Sequence, residues 1–440
     1  MKKESSSCSD KKMDNYLPYS CIMIDADTKV FASAVHKCLS WGTDRAKVND
    51  DLQKMWTTSN NSNKVLPCLS VRSGLDLYLK VMNFPPGSEV IMSAINIPDM
   101  TKVVKHHNLK IVPWDISIET TGPKIELLPS LVSSRTVAII VAHIYGKWCD
   151  MDPIIEIAER HNIPVIEDCA ETFCGFERIG NPRSDLVLFS FGVIKFCTAM
   201  GGAIAKIKDA DIYTKMYRLH ESYTVQSQRE YLKKVLKYYF VYFILLPYPT
   251  HFIVYVAKTL GIDHKAVVVS KLRGFPDQMV HRIKQRPCSA LLQVLSERLA
   301  GFSQKEYEMG QVKGEYVRMR LPEDVQLVGM KAMVNNYWLF PILVDDPDTV
   351  LNSLNALGVD AYRGATQLNI IEPESDPMGV PVSQLDPRYP SEARYLIDHV
   401  VYLPVNKKVP FHALNQICKA VKQAIAMSKD APKVRLQSKL

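Results

Sequence analysis

Between Val65 and Lys208 the chain alternates short apolar runs with stretches of helical spacing, the rhythm of a mainly parallel sheet covered on both faces. Residues 88–93 (SEVIMS), 110–113 (KIVP), 137–143 (VAIIVAH), 164–167 (PVIE), 186–191 (LVLFSF) and 202–207 (GAIAKI) are β-branched or aromatic and bounded by turn residues. Each reads as a strand. The spacing predicts helices over 70–82 and 152–161, the second with Asp152 as its cap and Pro153 in its first turn. After Val312 a second α/β pattern begins, with strands over 337–344 and near 399–403 and helices over 347–357 and 411–427. The chain therefore divides into a large domain over 16–230, an apolar helical insertion or linker over 231–311 and a small C-terminal α/β domain over 312–430. A polar tail, 1–15, and a basic tail, 431–440, read as solvated and disordered. No internal repeat is visible.

The insertion changes the picture most. Residues 238–257 form a twenty-residue run whose strongly polar members are Thr250 and His251, flanked by Lys233, Lys234, Lys237 and Lys258. Its length matches a membrane span, but Pro247 and Pro249 divide it into halves too short to cross a bilayer. Two buried helices at a domain or dimer contact are the favoured expectation. A hairpin making peripheral membrane contact through 238–257 is the alternative.

With 440 residues, 47% hydrophobic and 23% charged, the chain is long enough for two buried cores. Its 54 Lys plus Arg against 46 Asp plus Glu give a net +8, which suits anionic ligands or acidic membrane surfaces, and the clustered basic runs of a nucleic-acid binder are missing. Ten cysteines without regular spacing, and no secretory signal, read as reduced thiols in a cytoplasmic protein, membrane-associated if the hairpin forms. No paired Cys-x-x-Cys steps occur, and no metal site is expected.

The chemistry concentrates at strand ends. Asp168 closes an apolar strand at its carboxyl end, where open α/β sheets place ligand-binding residues. The next strand leads through Gly192 to Lys195, so an amine and a carboxylate reach one crevice. Ser190 and the turn Ser70-Val71-Arg72-Ser73, which opens a helix, offer hydroxyls, free N–H groups and a guanidinium for a phosphate. Gly201-Gly202 suits a close backbone approach. A lysine to form a Schiff base, a carboxylate for a pyridine nitrogen and a phosphate cradle are what pyridoxal 5′-phosphate (PLP) chemistry requires. Taken singly, each residue has an ordinary explanation as a surface, turn or cap residue. Their order and spacing distinguish them.

That order resembles the DegT/DnrJ/EryC1/StrS family of PLP-dependent sugar aminotransferases, over roughly 65–208 and more faintly to the C-terminus. Pro86-Gly87-Ser88-Glu89-Val90-Ile91, Arg135-Thr136-Val137-Ala138-Ile139-Ile140, His143-Ile144-Tyr145-Gly146 with Asp150-Met151-Asp152, Ile166-Glu167-Asp168-Cys169-Ala170-Glu171, and Phe189-Ser190-Phe191 to Lys195 followed by Gly201-Gly202 carry the likeness. The resemblance implies an α/β, aspartate-aminotransferase-like PLP fold (type I), with a mainly parallel seven-stranded sheet and a small C-terminal domain. It implies that Lys195 holds the cofactor as a Schiff base and that Asp168 meets its ring nitrogen. Ser190 and the Ser70-Val71-Arg72 turn would hold the phosphate, and Glu171 stands where the family usually has Gln. Asn96 occupies the position of an aromatic ring over the cofactor, leaving His143 to stack there. Arg363-Gly364-Ala365-Thr366 replaces a His-x-x-Pro substrate segment. A homodimer with active sites at the subunit contact is also implied.

The expected function is amino transfer from an amino-acid donor to a keto acceptor, a keto sugar among the candidates, with Lys195 and Asp168 as catalytic residues. Lys195 argues against the related dehydratase branch, which has His there. The competing reading is a catalytically weak PLP-fold regulator or membrane-associated scaffold. A nicotinamide dehydrogenase is disfavoured because no Gly-x-Gly-x-x-Gly follows a strand, and no phosphate-binding P-loop motif occurs.

Overall fold

The computed structural model describes residues 16–40, 44–57, 64–249, 279–364, 368–374, 386 and 388–430. Seven strands build the central sheet: β1 (Lys64–Cys68), β2 (Glu89–Ser93), β3 (Lys110–Trp114), β4 (Thr136–Ala142), β5 (Val165–Asp168), β6 (Leu186–Ser190) and β7 (Ala203–Ile207). They lie in the order β1-β7-β6-β5-β4-β2-β3. β7 runs antiparallel to both β1 and β6, and the other four pairings are parallel. Pro67 and Pro113 fall in β1 and β3, the two edges, where a strand can lack an N–H without breaking an interior ladder.

Both faces of the sheet are covered, which is why its strands are apolar without a polar alternate. Val90, Met92, Ile140, Ile166 and Leu188 point to one core, shared with Leu75 and Leu79 of the helix Val71–Met82. Ile91, Ile139, Val141 and Val165 point to the opposite face, against Ile154 and Ile155 of the helix Asp152–Arg160. Beyond it Val187, Phe189 and Ile204 join a core centred on Trp56, whose ring meets those of Phe173, Phe176, Phe189 and Phe191.

A three-stranded antiparallel sheet (Gln326–Leu327, Phe340–Leu343, Val400–Leu403) is packed by the helices Pro347–Ala356 and Phe411–Asp430 around a core of its own. The strand expected over 337–344 begins only at Phe340, because Tyr337 sits at φ 50 and its N–H is taken by the Asn335 side chain at 2.9 Å. Asp152 is not the cap of its helix. It is the first helical residue, Met151 precedes it without a side-chain cap, and its carboxylate instead accepts from Asn181 Nδ2 at 2.8 Å and Arg183 Nη2 at 3.1 Å.

The insertion enters as the helix Gln228–Ile244, capped by Ser227 Oγ, which accepts from Glu230 N. It buries one stripe, Tyr231, Val235, Tyr238 and Val241, at the spacing of a single helical face. Within the single chain, this stripe is the buried part of the first half: Leu236 is 50% exposed, Phe240 64% and Phe243 52%. The second half of the expected hairpin, like the two chain tails, lies outside the described residues. Among the described residues, no helix is long and apolar enough to cross a membrane.

Candidate active site

The carboxyl ends of β1, β4, β5 and β6 share one edge of the sheet, and the antiparallel β7 begins there. Ser70, His143, Asp168 and Ser190 thus surround the point where Gly201-Gly202 enters β7. They open onto a cleft of about 210 Å³. Ser70, Val71, Arg72, His143, Asp168, Glu171, Ser190 and Lys195, the catalytic and cofactor-binding candidates from the sequence, all line it.

Lys195 is presented by a tightly folded loop. Ala199 N and Gly201 N both donate to Phe191 O, at 3.0 and 3.1 Å, and Gly202 N donates to Leu69 O at 3.1 Å. Thr198 Oγ1 donates to Gly192 O at 2.7 Å. Gly202 adopts φ 85, which a side chain would strain. The Lys195 ammonium donates to Glu171 Oε1 at 3.2 Å and lies 3.9 Å from the centroid of the Trp338 ring. Trp338 is fixed by its own Nε1–H, bonded to Ile194 O at 2.7 Å. Glu171 Oε2 in turn accepts from Tyr145 N at 2.8 Å. Tyr145 and Gly146 take left-handed φ of 58 and 77, and a Cβ on Gly146 would run into the Asn336 amide.

Asp168 ends β5 with its carboxyl at the cleft wall, accepting from Ala170 N at 3.1 Å. Burial pushes this carboxyl up to about 6, with the nearby Glu171 adding to the effect and the Ala170 N–H and Lys195 opposing it. Behind it lies a closed polar network. His143 Nδ1 accepts from Cys149 N at 3.2 Å, so the ring proton sits on Nε2 and bonds Glu167 Oε2 at 3.0 Å. Glu167 Oε1 accepts from Ser184 Oγ at 2.5 Å and Asn181 N at 2.8 Å. The His143 ring packs on Trp148, centroids 4.9 Å apart.

Ser70 caps the helix Val71–Met82, its Oγ accepting from Ser73 N at 3.2 Å, while the N-terminal turn faces the cleft. Arg72 is paired with Asp99 at 3.0 Å, so its charge arrives compensated. Asn96 is buried on the cleft wall, its Oδ1 bonded to Ile97 N at 2.7 Å. Arg363 is not at the cleft. It bonds Asp348 at 2.6 Å, and residues 365–367 fall outside the described residues.

Sequence reading missed Trp338, Tyr402, Lys234 and Tyr238, all on the cleft wall. Trp338 and Tyr402 come from the small sheet and its approach, and their apolar context reads simply as strand. Lys234 and Tyr238 come from the insertion, where Lys234 looks like one of several flanking lysines.

The model of the DegT/DnrJ/EryC1/StrS aminotransferase family matches residues 40–422. The chain belongs to this family. It is 34% identical over 168 residues to GDP-perosamine synthase of Caulobacter vibrioides, covering 38% of this chain and 45% of that protein. It is 32% identical over 152 residues to UDP-4-amino-4-deoxy-L-arabinose–oxoglutarate aminotransferase of Shewanella sediminis, covering 34% and 39%. These alignments span less than half the length of each relative. Among solved structures, 3-amino-5-hydroxybenzoic acid synthase superposes with a TM-score of 0.64 at 16% identity, covering 93% of this chain and all of that one. NtdA from Bacillus subtilis, solved with bound PMP, superposes at 0.62 with 14% identity, covering 96% and 90%. The fold is that of the type I PLP aminotransferases.

The cofactor of the family is PLP, and the cleft walls of this DegT-family member fit it. A buried carboxyl at a strand end matches a protonated ring nitrogen, a primary amine stands in the same cleft, and a capped helix N-terminus beside Ser190 offers phosphate donors.

Proposed function

We propose that this chain transfers an amino group from an amino-acid donor to a keto sugar. The observation that carries the reading is the meeting, in one cleft, of the Lys195 amine, the buried Asp168 carboxyl and the Ser70 helix turn. PLP, when bound, supplies the electron sink for moving the amino group between carbons. In this reading Asp168 holds the proton on the ring nitrogen, and Ser190 with the Ser70-Val71-Arg72 turn binds the phosphate. Lys195 Nζ, held by Glu171 and Trp338, would anchor the cofactor and carry the substrate α-proton. His143, locked by Glu167 and Cys149, gives one wall of the ring slot. The sugar-aminotransferase names of the two relatives support a keto-sugar acceptor, and the family supports a homodimer. The division at 16–230, 231–311 and 312–430 belongs to the same proposal.

The test is the visible absorption of the purified protein beside Lys195→Ala, before and after glutamate. A band that requires Lys195 and shifts with glutamate is expected. A wild-type protein without such a band under added PLP would overturn the reading.

One observation favours a second reading, a membrane-associated scaffold that keeps the cofactor without turnover: the outward face of the helix Gln228–Ile244 exposes Leu236, Phe240 and Phe243, and Tyr248 beyond it is 91% exposed. Phe240→Ser with Phe243→Ser would then release the protein from a membrane fraction. Unaltered partition would remove that reading.

A further inference from the structure

The helix Gln228–Ile244 has two dissimilar sides, and the inward one reaches the cofactor cleft. Tyr231 anchors it: its hydroxyl donates to Ala199 O at 2.8 Å, in the loop that carries Lys195. Three and seven residues on, Lys234 and Tyr238 fall on the same face, and both line the cleft together with Ser70, Val71 and Arg72. The neighbouring Lys233 and Lys237 are exposed. A lysine whose stem is packed against protein while its head borders a cleft has been placed, not merely solvated.

We propose that Lys234 is a phosphate-binding residue, its ammonium meeting a phosphate ester seated against the Ser70-Val71-Arg72 turn. The inference rests on PLP occupying this cleft. The chemistry of the wall favours it. Helix N-terminal N–H groups and a guanidinium already shared with Asp99 leave a dianion incompletely neutralised, and a further cation from the facing helix completes the cage. Burial lowers the proton affinity of the Lys234 amine, the Glu230 carboxylate opposes this, and the Arg72 charge adds to the lowering. A dianion between Arg72 and Lys234 removes both penalties. The cation comes from the helix that opens the insertion, so the insertion would serve the active site of its own chain.

The experiment compares PLP and pyridoxal, which lacks the phosphate, as ligands of the full-length cofactor-free chain, followed by absorbance. Calorimetry of GDP and UDP binding to the PLP-loaded protein runs beside it. Lys234→Gln is expected to weaken PLP about tenfold or more, the loss of one charge-assisted contact, while pyridoxal affinity stays unchanged. Lys234→Arg should restore most of the loss, and the exposed controls Lys233→Gln and Lys237→Gln should leave both ligands alone. If PLP affinity holds but nucleotide affinity falls, Lys234 binds a substrate phosphate instead, and the phosphate assignment stands. Equal weakening of PLP and pyridoxal, or no change with any phosphate ligand, overturns it while leaving the cofactor reading intact. A wild-type chain that binds neither PLP nor pyridoxal overturns both.

Discussion

Lys195 Nζ lies 3.2 Å from Glu171 Oε1, and the other oxygen of that carboxylate is held by the Tyr145 N–H at 2.8 Å. Attack on an aldehyde requires the amine to leave this charge-assisted hydrogen bond. Glu171→Gln keeps the size of the side chain and lets the amide oxygen take the Tyr145 N–H, but removes the charge. Cofactor capture by the PLP-free protein at neutral pH is expected to speed up, read by rapid-mixing absorbance. A slower capture would mean that Glu171 mainly positions the amine.

Asp168 provides a pH test. Its carboxyl is pushed from 3.8 up to about 6 by burial, so the folded, cofactor-free protein holds a proton that the unfolded chain has released. The associated stability is fully present below pH 3.8 and is lost as pH rises through about 6, a change of roughly 3 kcal/mol. Urea midpoints of the cofactor-free protein between pH 4 and 7 should carry this slope, and Asp168→Asn should remove it. Parallel profiles for the two proteins would refute the assignment.

Glu167 accepts from His143 Nε2–H, Ser184 Oγ–H and Asn181 N–H, with the Cys169 thiol a longer fourth donor at 4.0 Å, all aimed at a fully buried carboxylate. Glu167→Gln can serve only one side. Its NH₂ would confront either the His143 Nε2–H or the Ser184 and Asn181 donors, and the imidazole cannot move its proton to Nδ1, which already accepts the Cys149 N–H. The conservative substitution should therefore cost roughly 2–3 kcal/mol in a denaturant titration. A cost below about 0.5 kcal/mol would show that the network tolerates a mispaired donor.

Gly146 lies at φ 77 against Asn336 and Trp338, with no room for a methyl group. Gly146→Ala should displace the Asn336–Trp338 segment, destabilise the protein by roughly 2 kcal/mol or more and lift the indole from above Lys195. Denaturant midpoints report the first effect and Trp338 emission, assigned with Trp338→Phe, the second. Unchanged emission would separate the glycine from the amine.

What the sequence disclosed was local. The apolar strands, the Asp168 and Ser190 positions at their ends and the cap at Ser70 follow from patterns a few residues long, and the loop to Lys195 follows a strand directly. Trp338 was hidden because residues 337–344 read as one apolar strand. The break comes from Tyr337 at φ 50 and from the Asn335 and Asn336 side chains, which turn the backbone through bonds no periodicity records. Lys234 was hidden because lysine at the end of an apolar run looks solvated, and only the turn of its helix decides which of three neighbouring lysines faces inward. The two-sided character of the insertion was illegible for the same reason: Phe240 and Tyr238 are equally apolar on paper, yet one is 64% exposed and the other 6%.

The strand order also sets a timetable. β1, which delivers the Ser70 turn, touches the rest of the sheet through β7, with Lys64 opposite Ile207. A nascent chain can pair β2, β3, β4, β5 and β6 as they emerge, but the phosphate cradle has no seat until Ala203–Ile207 has left the ribosome and slid between β1 and β6. Within the central sheet, the phosphate cradle is thus the part seated last, when β7 joins β1 to β6.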